Sequence, residues 1–66
     1  MELNVKAVRL AMIEMGYNIT SLSRVSGIGT ATLNNWLNHG TTPQLGKIGQ
    51  LARALDVPIT EIIIQD

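Results

Sequence analysis

Thr30, Asn34, Asn35 and Asn38 place hydroxyl and amide groups along one short stretch that carries no charge. An asparagine amide donates and accepts hydrogen bonds at once, so it suits a surface with patterned donors and acceptors. Catalysis fits the chain poorly. Serine and threonine are common, but nothing is placed to orient them as nucleophiles. Glu14, Asp56 and Glu61 have no periodic relation that would pair an acid with a base. His39 stands alone, with no second ligand at a metal-like spacing, and there is no cysteine to supply a thiolate. Gly27, Gly29 and Gly40 lack the lysine–serine ending of a phosphate-binding loop. The expectation is a protein that is not an enzyme, with no metal and no cofactor.

Length and composition narrow this further. Sixty-six residues allow one domain over 1–66, with marginal stability and a regular helical core. Hydrophobic residues make up 45% of the chain, too many for a disordered arm. Without cysteines nothing supports secretion through disulfides. No apolar run approaches the roughly 18 residues of a membrane span, and no signal peptide is read. A cytoplasmic location with no membrane partner is therefore expected. There is no space for a ligand-sensing domain, so no small-molecule ligand is expected. Five basic and five acidic residues cancel. Nucleic-acid binders are usually basic, so overall charge gives no pointer to them. Any such argument has to come from arrangement.

The elements that must position these side chains follow from periodicity and caps. Val5, Val8, Met12 and Met15 recur at helical spacing, which predicts a first helix over about Leu3 to Met15. Leu3, Leu10, Ala11 and Ile13 widen its apolar face, and Gly16 ends it. Asn18 is placed to cap a second, short helix from about Ile19 to Ser26. Tyr17 and Leu22 form a hydrophobic staple across that cap. Gly27 stops the helix. Ser23 and Ser26 are small, as close approach of another helix requires. A third helix starts at Gly29. Leu33, Trp36 and Leu37 face inward, while Thr30, Ala31, Asn34, Asn35 and Asn38 lie on the other side. Trp36 is read as core because it shares the face of Leu33.

A turn-rich loop from His39 to Pro43 precedes a fourth helix ending at Leu55. Its inner face is expected to carry Leu45, Ile48, Leu51, Ala52 and Leu55. Gly46 and Gly49 either weaken this helix or permit close packing. Pro58 forbids simple continuation. A last helix over Ile59 to Ile64 is preferred to a strand, because a lone edge strand without a partner is a poor solution. The expected core includes Val8, Leu22, Ile28, Leu33, Trp36, Ile48, Leu51 and Leu55.

The stretch NITSLSRVSGIGTATLNNWL, Asn18 to Leu37, resembles the helix-turn-helix motif of the lambda-repressor-like, Cro/C1 or XRE-type family. Leu22, Ser23, Gly27, Ile28, Leu33 and Trp36 stand where that motif has apolar, small, turn-glycine and apolar residues. Pro43, the LARALDV segment and the closing ITEIII extend the likeness over nearly the whole chain. The resemblance implies an all-α, compact five-helix domain. It also implies a sequence-specific DNA-binding regulator of phage or bacterial type, usually a repressor. The third helix would enter the major groove while the second spans the backbone.

On the same resemblance, Thr30, Ala31, Asn34 and Asn35 are base-contact candidates. Asparagine pairs bidentately with adenine, and Thr or Ala meets a thymine methyl. Phosphate candidates are Asn18, the Ile19 backbone, Ser21, Asn38, Thr41, Thr42 and Lys47, with Lys6, Arg9 and Arg24 behind them. The family often has glutamine where Ile19 stands and arginine where Met12 stands. Neither replacement can hold a phosphate through its side chain. Two other readings stay open: a protein-interaction domain on the same fold, such as an antirepressor, and the DNA-binding antitoxin of a toxin–antitoxin pair.

The expected partner is an operator duplex with two-fold symmetry, bound by a homodimer. Ile59, Ile62 and Ile63 follow the inward spacing of the last helix and Ile64 points elsewhere, so at least one terminal isoleucine exceeds what a small core can hold. The dimer is therefore expected through the last helix, centred on Ile62, Ile63 and Ile64 with Val57 and Pro58 at its edge.

Overall fold

A computed structural model describes residues 2–40 and 43–64. Five helices surround one hydrophobic core: α1 (Val5–Met15), α2 (Ile19–Ser26), α3 (Thr30–Asn38), α4 (Leu45–Leu55) and α5 (Ile59–Ile62). Two short strands join the ends of the chain, β1 (Glu2–Leu3) and β2 (Ile63–Ile64). The all-α, five-helix expectation holds, with this small ladder added.

The helices start and stop where local chemistry directs. The Asn4 side chain accepts from the Ala7 amide at 3.1 Å and caps α1. The helix thus begins two residues later than periodicity indicated, and Leu3 belongs to β1. Gly16 ends α1 at φ 73°. The first motif helix α2 ends the same way at Gly27, φ 76°. Asp56 closes α4 at φ 56°, a left-handed position that a short polar side chain tolerates.

The expected core is buried throughout. Val8, Leu22, Ile28, Leu33, Trp36, Ile48, Leu51 and Leu55 all lie inside, and Met12 and Leu37 join them. Trp36, only 4% exposed, is a packing residue. Five apolar readings need correction. Leu45 is 71% exposed, because the first turn of α4 extends past the core. Leu10, Ile13 and Met15 are exposed on α1, so its apolar stripe is as narrow as an ordinary amphipathic helix. Ile59 is half exposed at the start of α5.

The C-terminal segment differs most from expectation. The helix stops at Ile62, and Ile63–Ile64 pair antiparallel with Glu2–Leu3, Ile63 opposite Leu3 and Ile64 opposite Glu2. The Asn4 amide also donates to the Ile62 carbonyl at 2.8 Å. A strand was disfavoured for want of a partner, and the N-terminus supplies it. The change from helix to strand at this point turns both Ile62 and Ile63 inward and leaves Ile64 outside.

Glycine in α4 does not mark close packing. A Cβ at Gly49 would meet nothing within 4 Å. Gly49→Ala is therefore expected to stabilise the fold by about 0.8–1 kcal/mol through helix propensity. Gly27→Ala is expected to act oppositely. Its Cβ would find room, 3.8 Å from the Gln50 amide nitrogen, but the left-handed backbone costs a side chain about 1–2 kcal/mol. Urea unfolding of both variants checks the pair, and shifts of the same sign would contradict the argument.

Candidate nucleic-acid interface

The α2–α3 pair is held by a turn tied by side-chain hydrogen bonds to its backbone. The Ser23 hydroxyl donates to the Ile28 carbonyl at 2.6 Å, and the Ile28 amide donates to the Ser26 hydroxyl at 3.2 Å. Ile28 itself is sealed into the core. The Gln50 side chain reaches across from α4 to the Ser26 carbonyl at 3.5 Å. The two serines, read from sequence only as small, thus clamp both peptide groups of Ile28. This fixes the direction in which α3 leaves the turn. The signal was present in the sequence as hydroxyls spaced two and five residues before Ile28. Only the folded turn shows which groups they meet.

At the start of α2, the Asn18 side chain accepts from the Ser21 amide at 2.8 Å, and the Ser21 hydroxyl accepts from the Asn18 amide at 2.9 Å. This is a capping box with serine in the reciprocal position. The Ile19 and Thr20 amides precede the first bond of the helix, which runs from the Leu22 amide to the Asn18 carbonyl. They remain as donors at the positive end of the helix dipole, where an anion is favoured. The Ile19 side chain packs partly against the core, so only its backbone is placed for such a contact.

Along α3 the exposed side chains fall into two rows at i, i+4 spacing: Thr30, Asn34 and Asn38, and Ala31 with Asn35. All five are exposed, while Leu33, Trp36 and Leu37 pack inward. The rows differ. The Asn38 amide nitrogen donates to the Asn34 side-chain oxygen at 3.2 Å, and an Arg9 guanidinium nitrogen donates to the Asn38 side-chain oxygen at 2.8 Å. Arg9, one of the reserve phosphate candidates, is thus engaged with α3. Lys47 is half buried near the start of α4, and Lys6 and Arg24 are exposed. Thr41 and Thr42 lie outside the described residues.

The neutral total hides an uneven distribution. The acidic residues are Glu2, Glu14, Asp56, Glu61 and Asp66, so residues 15–55 contain none. That segment holds the whole motif and α4, and it carries Arg24, Lys47 and Arg53. Counting charge by segment rather than over the chain would have revealed this. Met12, where the family often has arginine, is a core residue here.

A protein-family model for the Cro/C1-type HTH DNA-binding domain matches residues 8–65. The chain belongs to this family. No curated protein and no solved structure matches it. The match spans α1 to β2 and includes the clamped turn and both rows of α3. A Cro/C1-type domain has a DNA-binding regulatory role and not a catalytic one. Among the described residues no group of His, Cys, Asp and Glu is placed to hold a metal ion. No helix among them is long and apolar enough to cross a membrane.

Of the residues expected at a dimer interface, Ile62 is 1% exposed and Ile63 is buried against the monomer's own core. They are not available to a second subunit. Ile64 is 44% exposed, Pro58 is exposed and Val57 is partly buried. Of the isoleucine run Ile62–Ile64, only Ile64 is exposed, so the run as a whole does not form an open surface.

Proposed function

We propose that this Cro/C1-type domain is a sequence-specific transcriptional repressor acting in the cytoplasm. It reads an operator duplex with the exposed face of α3. The observation that carries this reading is the uncharged, hydrogen-bonding surface of Thr30, Ala31, Asn34 and Asn35 within a segment free of acidic residues. Base edges in the major groove present donors, acceptors and thymine methyls. Amides, a hydroxyl and a small apolar side chain complement them. Backbone amides at the start of α2, the Asn18 and Ser21 polar groups, Asn38, Thr41, Thr42 and Lys47 supply phosphate contacts.

Titration against the duplex upstream of its own gene, at two salt concentrations, tests this. Saturable binding that an unrelated duplex does not compete is expected, with affinity falling as salt rises. Absence of binding at about 10 μM protein in low salt, where even non-specific complexes form, would instead favour a protein-interaction role.

The operator is expected to be a two-fold repeat bound by a homodimer, with Ile64 at the contact and Pro58 and Val57 beside it. An exposed isoleucine on a small domain gains from burial. The Ile64→Glu variant should keep its helical content and lose about a hundredfold in operator affinity, because paired half-sites lend avidity. Sedimentation equilibrium of both proteins is the check. A wild type still monomeric at about 100 μM, with unchanged operator affinity in the variant, would remove the dimer.

A further inference from the structure

The tie between Arg9 and α3 gives the recognition surface a direction. Arg9 lies on α1, 29 residues before Asn38. One of its terminal nitrogens donates both to the Asn38 side-chain oxygen, at 2.8 Å, and to the Leu37 carbonyl, at 3.3 Å. The second contact satisfies a carbonyl at the end of α3, where the helix has no basic residue of its own. The first contact sets the orientation of an amide. A guanidinium is donor-only and stays charged, so the group facing it must be the Asn38 oxygen. The Asn38 nitrogen then points to Asn34, and the group that meets it must be the Asn34 oxygen, at 3.2 Å. The polarity of the whole chain follows from its first member.

We infer that Arg9 is a positioning residue that sets the base preference of α3: through Asn38 it presents Asn34 to the groove as a hydrogen-bond donor. This rests on the reading of α3 as the groove helix. An unengaged asparagine pairs with adenine by accepting from N6 and donating to N7. The Asn34 oxygen is held toward Asn38 with one lone pair engaged, and its amide nitrogen, with both hydrogens, is left for an outside partner. Guanine presents two acceptors, N7 and O6, on the same edge. Asn34 therefore favours guanine over adenine, whose N6 donor needs the oxygen turned to the base edge. Asn35, in the other row, keeps the adenine pairing expected of a free amide.

Selection of bound sequences from a duplex library randomised over one half-site tests the inference. The wild type, Asn34→Ala, Arg9→Met and Arg9→Lys are compared, with circular dichroism confirming that each is folded. The wild type should enrich guanine at one position, and Asn34→Ala should lose the preference at that position alone. Arg9→Met should lower the guanine-to-adenine ratio there by about tenfold, within the range of one base contact. Arg9→Lys, also donor-only, should retain more of the preference than Arg9→Met. The side-chain amide resonances of Asn34 and Asn38 should shift in Arg9→Met without DNA present.

A uniform loss of affinity in Arg9→Met, with its guanine preference unchanged, would make Arg9 a plain phosphate contact and overturn the inference. So would an Asn34→Ala variant with unaltered preferences at every position. A wild type that selects no sequence at all would instead refute the groove reading itself, and this inference with it.

Discussion

Leu51→Ala should remove a large part of the protein's stability, while Leu45→Ala, on the same helix, should change almost nothing. Leu51 is fully buried and Leu45 is 71% exposed. Truncating a sealed leucine costs about 2–5 kcal/mol, from lost transfer energy and the cavity left behind. A chain of 66 residues holds roughly 3–10 kcal/mol in total, at about 0.05–0.15 kcal/mol per residue. One core truncation can therefore consume most of the stability. The exposed Leu45 has no cavity to leave, and a surface change of this kind stays within about 0.5 kcal/mol. Urea unfolding followed by far-ultraviolet circular dichroism measures both. A Leu51→Ala protein within about 1 kcal/mol of wild type would mean that the core is not sealed at this point.

The largest effect on sequence discrimination is expected at Asn35. Asn35→Ala should weaken operator binding by about 10- to 100-fold, the equivalent of one bidentate base contact of about 1–3 kcal/mol. Binding to a random duplex should hardly change, because no phosphate contact is removed. Lys47→Ala should do the reverse. It should weaken specific and non-specific complexes alike, and lower the steepness of the salt dependence by about one counterion. Asn35 is exposed and lies off the core, so the variant should stay folded, and alanine's higher helix propensity should if anything raise its melting temperature. Measuring both duplexes at several salt concentrations separates the two residues. Equal losses on operator and random DNA for Asn35→Ala would show that the side chain reads no base.

These effects depend on how α3 is held, and here sequence and structure contribute different parts. The caps at Asn18, Gly16 and Gly27 were legible because each acts within one helical turn of its own position. The inward residues of α3 and the middle of α4 were legible for the same reason, since helical periodicity sorts one face from the other. The Ser23–Ile28–Ser26 clamp lay close by in sequence, yet its pairings needed the turn to be closed.

The surplus of apolar residues was less readable. Leu10, Ile13, Leu45, Ile59 and Ile64 have the same chemistry as the buried set and acceptable spacing. Which of them is covered depends on where the neighbouring elements end, and periodicity within one helix carries no such information.

The sequence by itself determined the helix boundaries to within a residue or two, the eight expected core residues and the uncharged outer face of α3. Caps and periodicity are local properties, and local properties survive without a fold. The tertiary structure alone decided two things. It joined Leu3 to Ile63, turning a disfavoured strand into a paired one and sealing Ile62 and Ile63, expected both on the inner face and at a dimer contact, into the core. It also brought Arg9 to Asn38, giving one row of α3 a hydrogen-bond direction that the other lacks. Both depend on groups far apart in the chain, whose meeting is set by the packing of all five helices and by no pattern within any one of them.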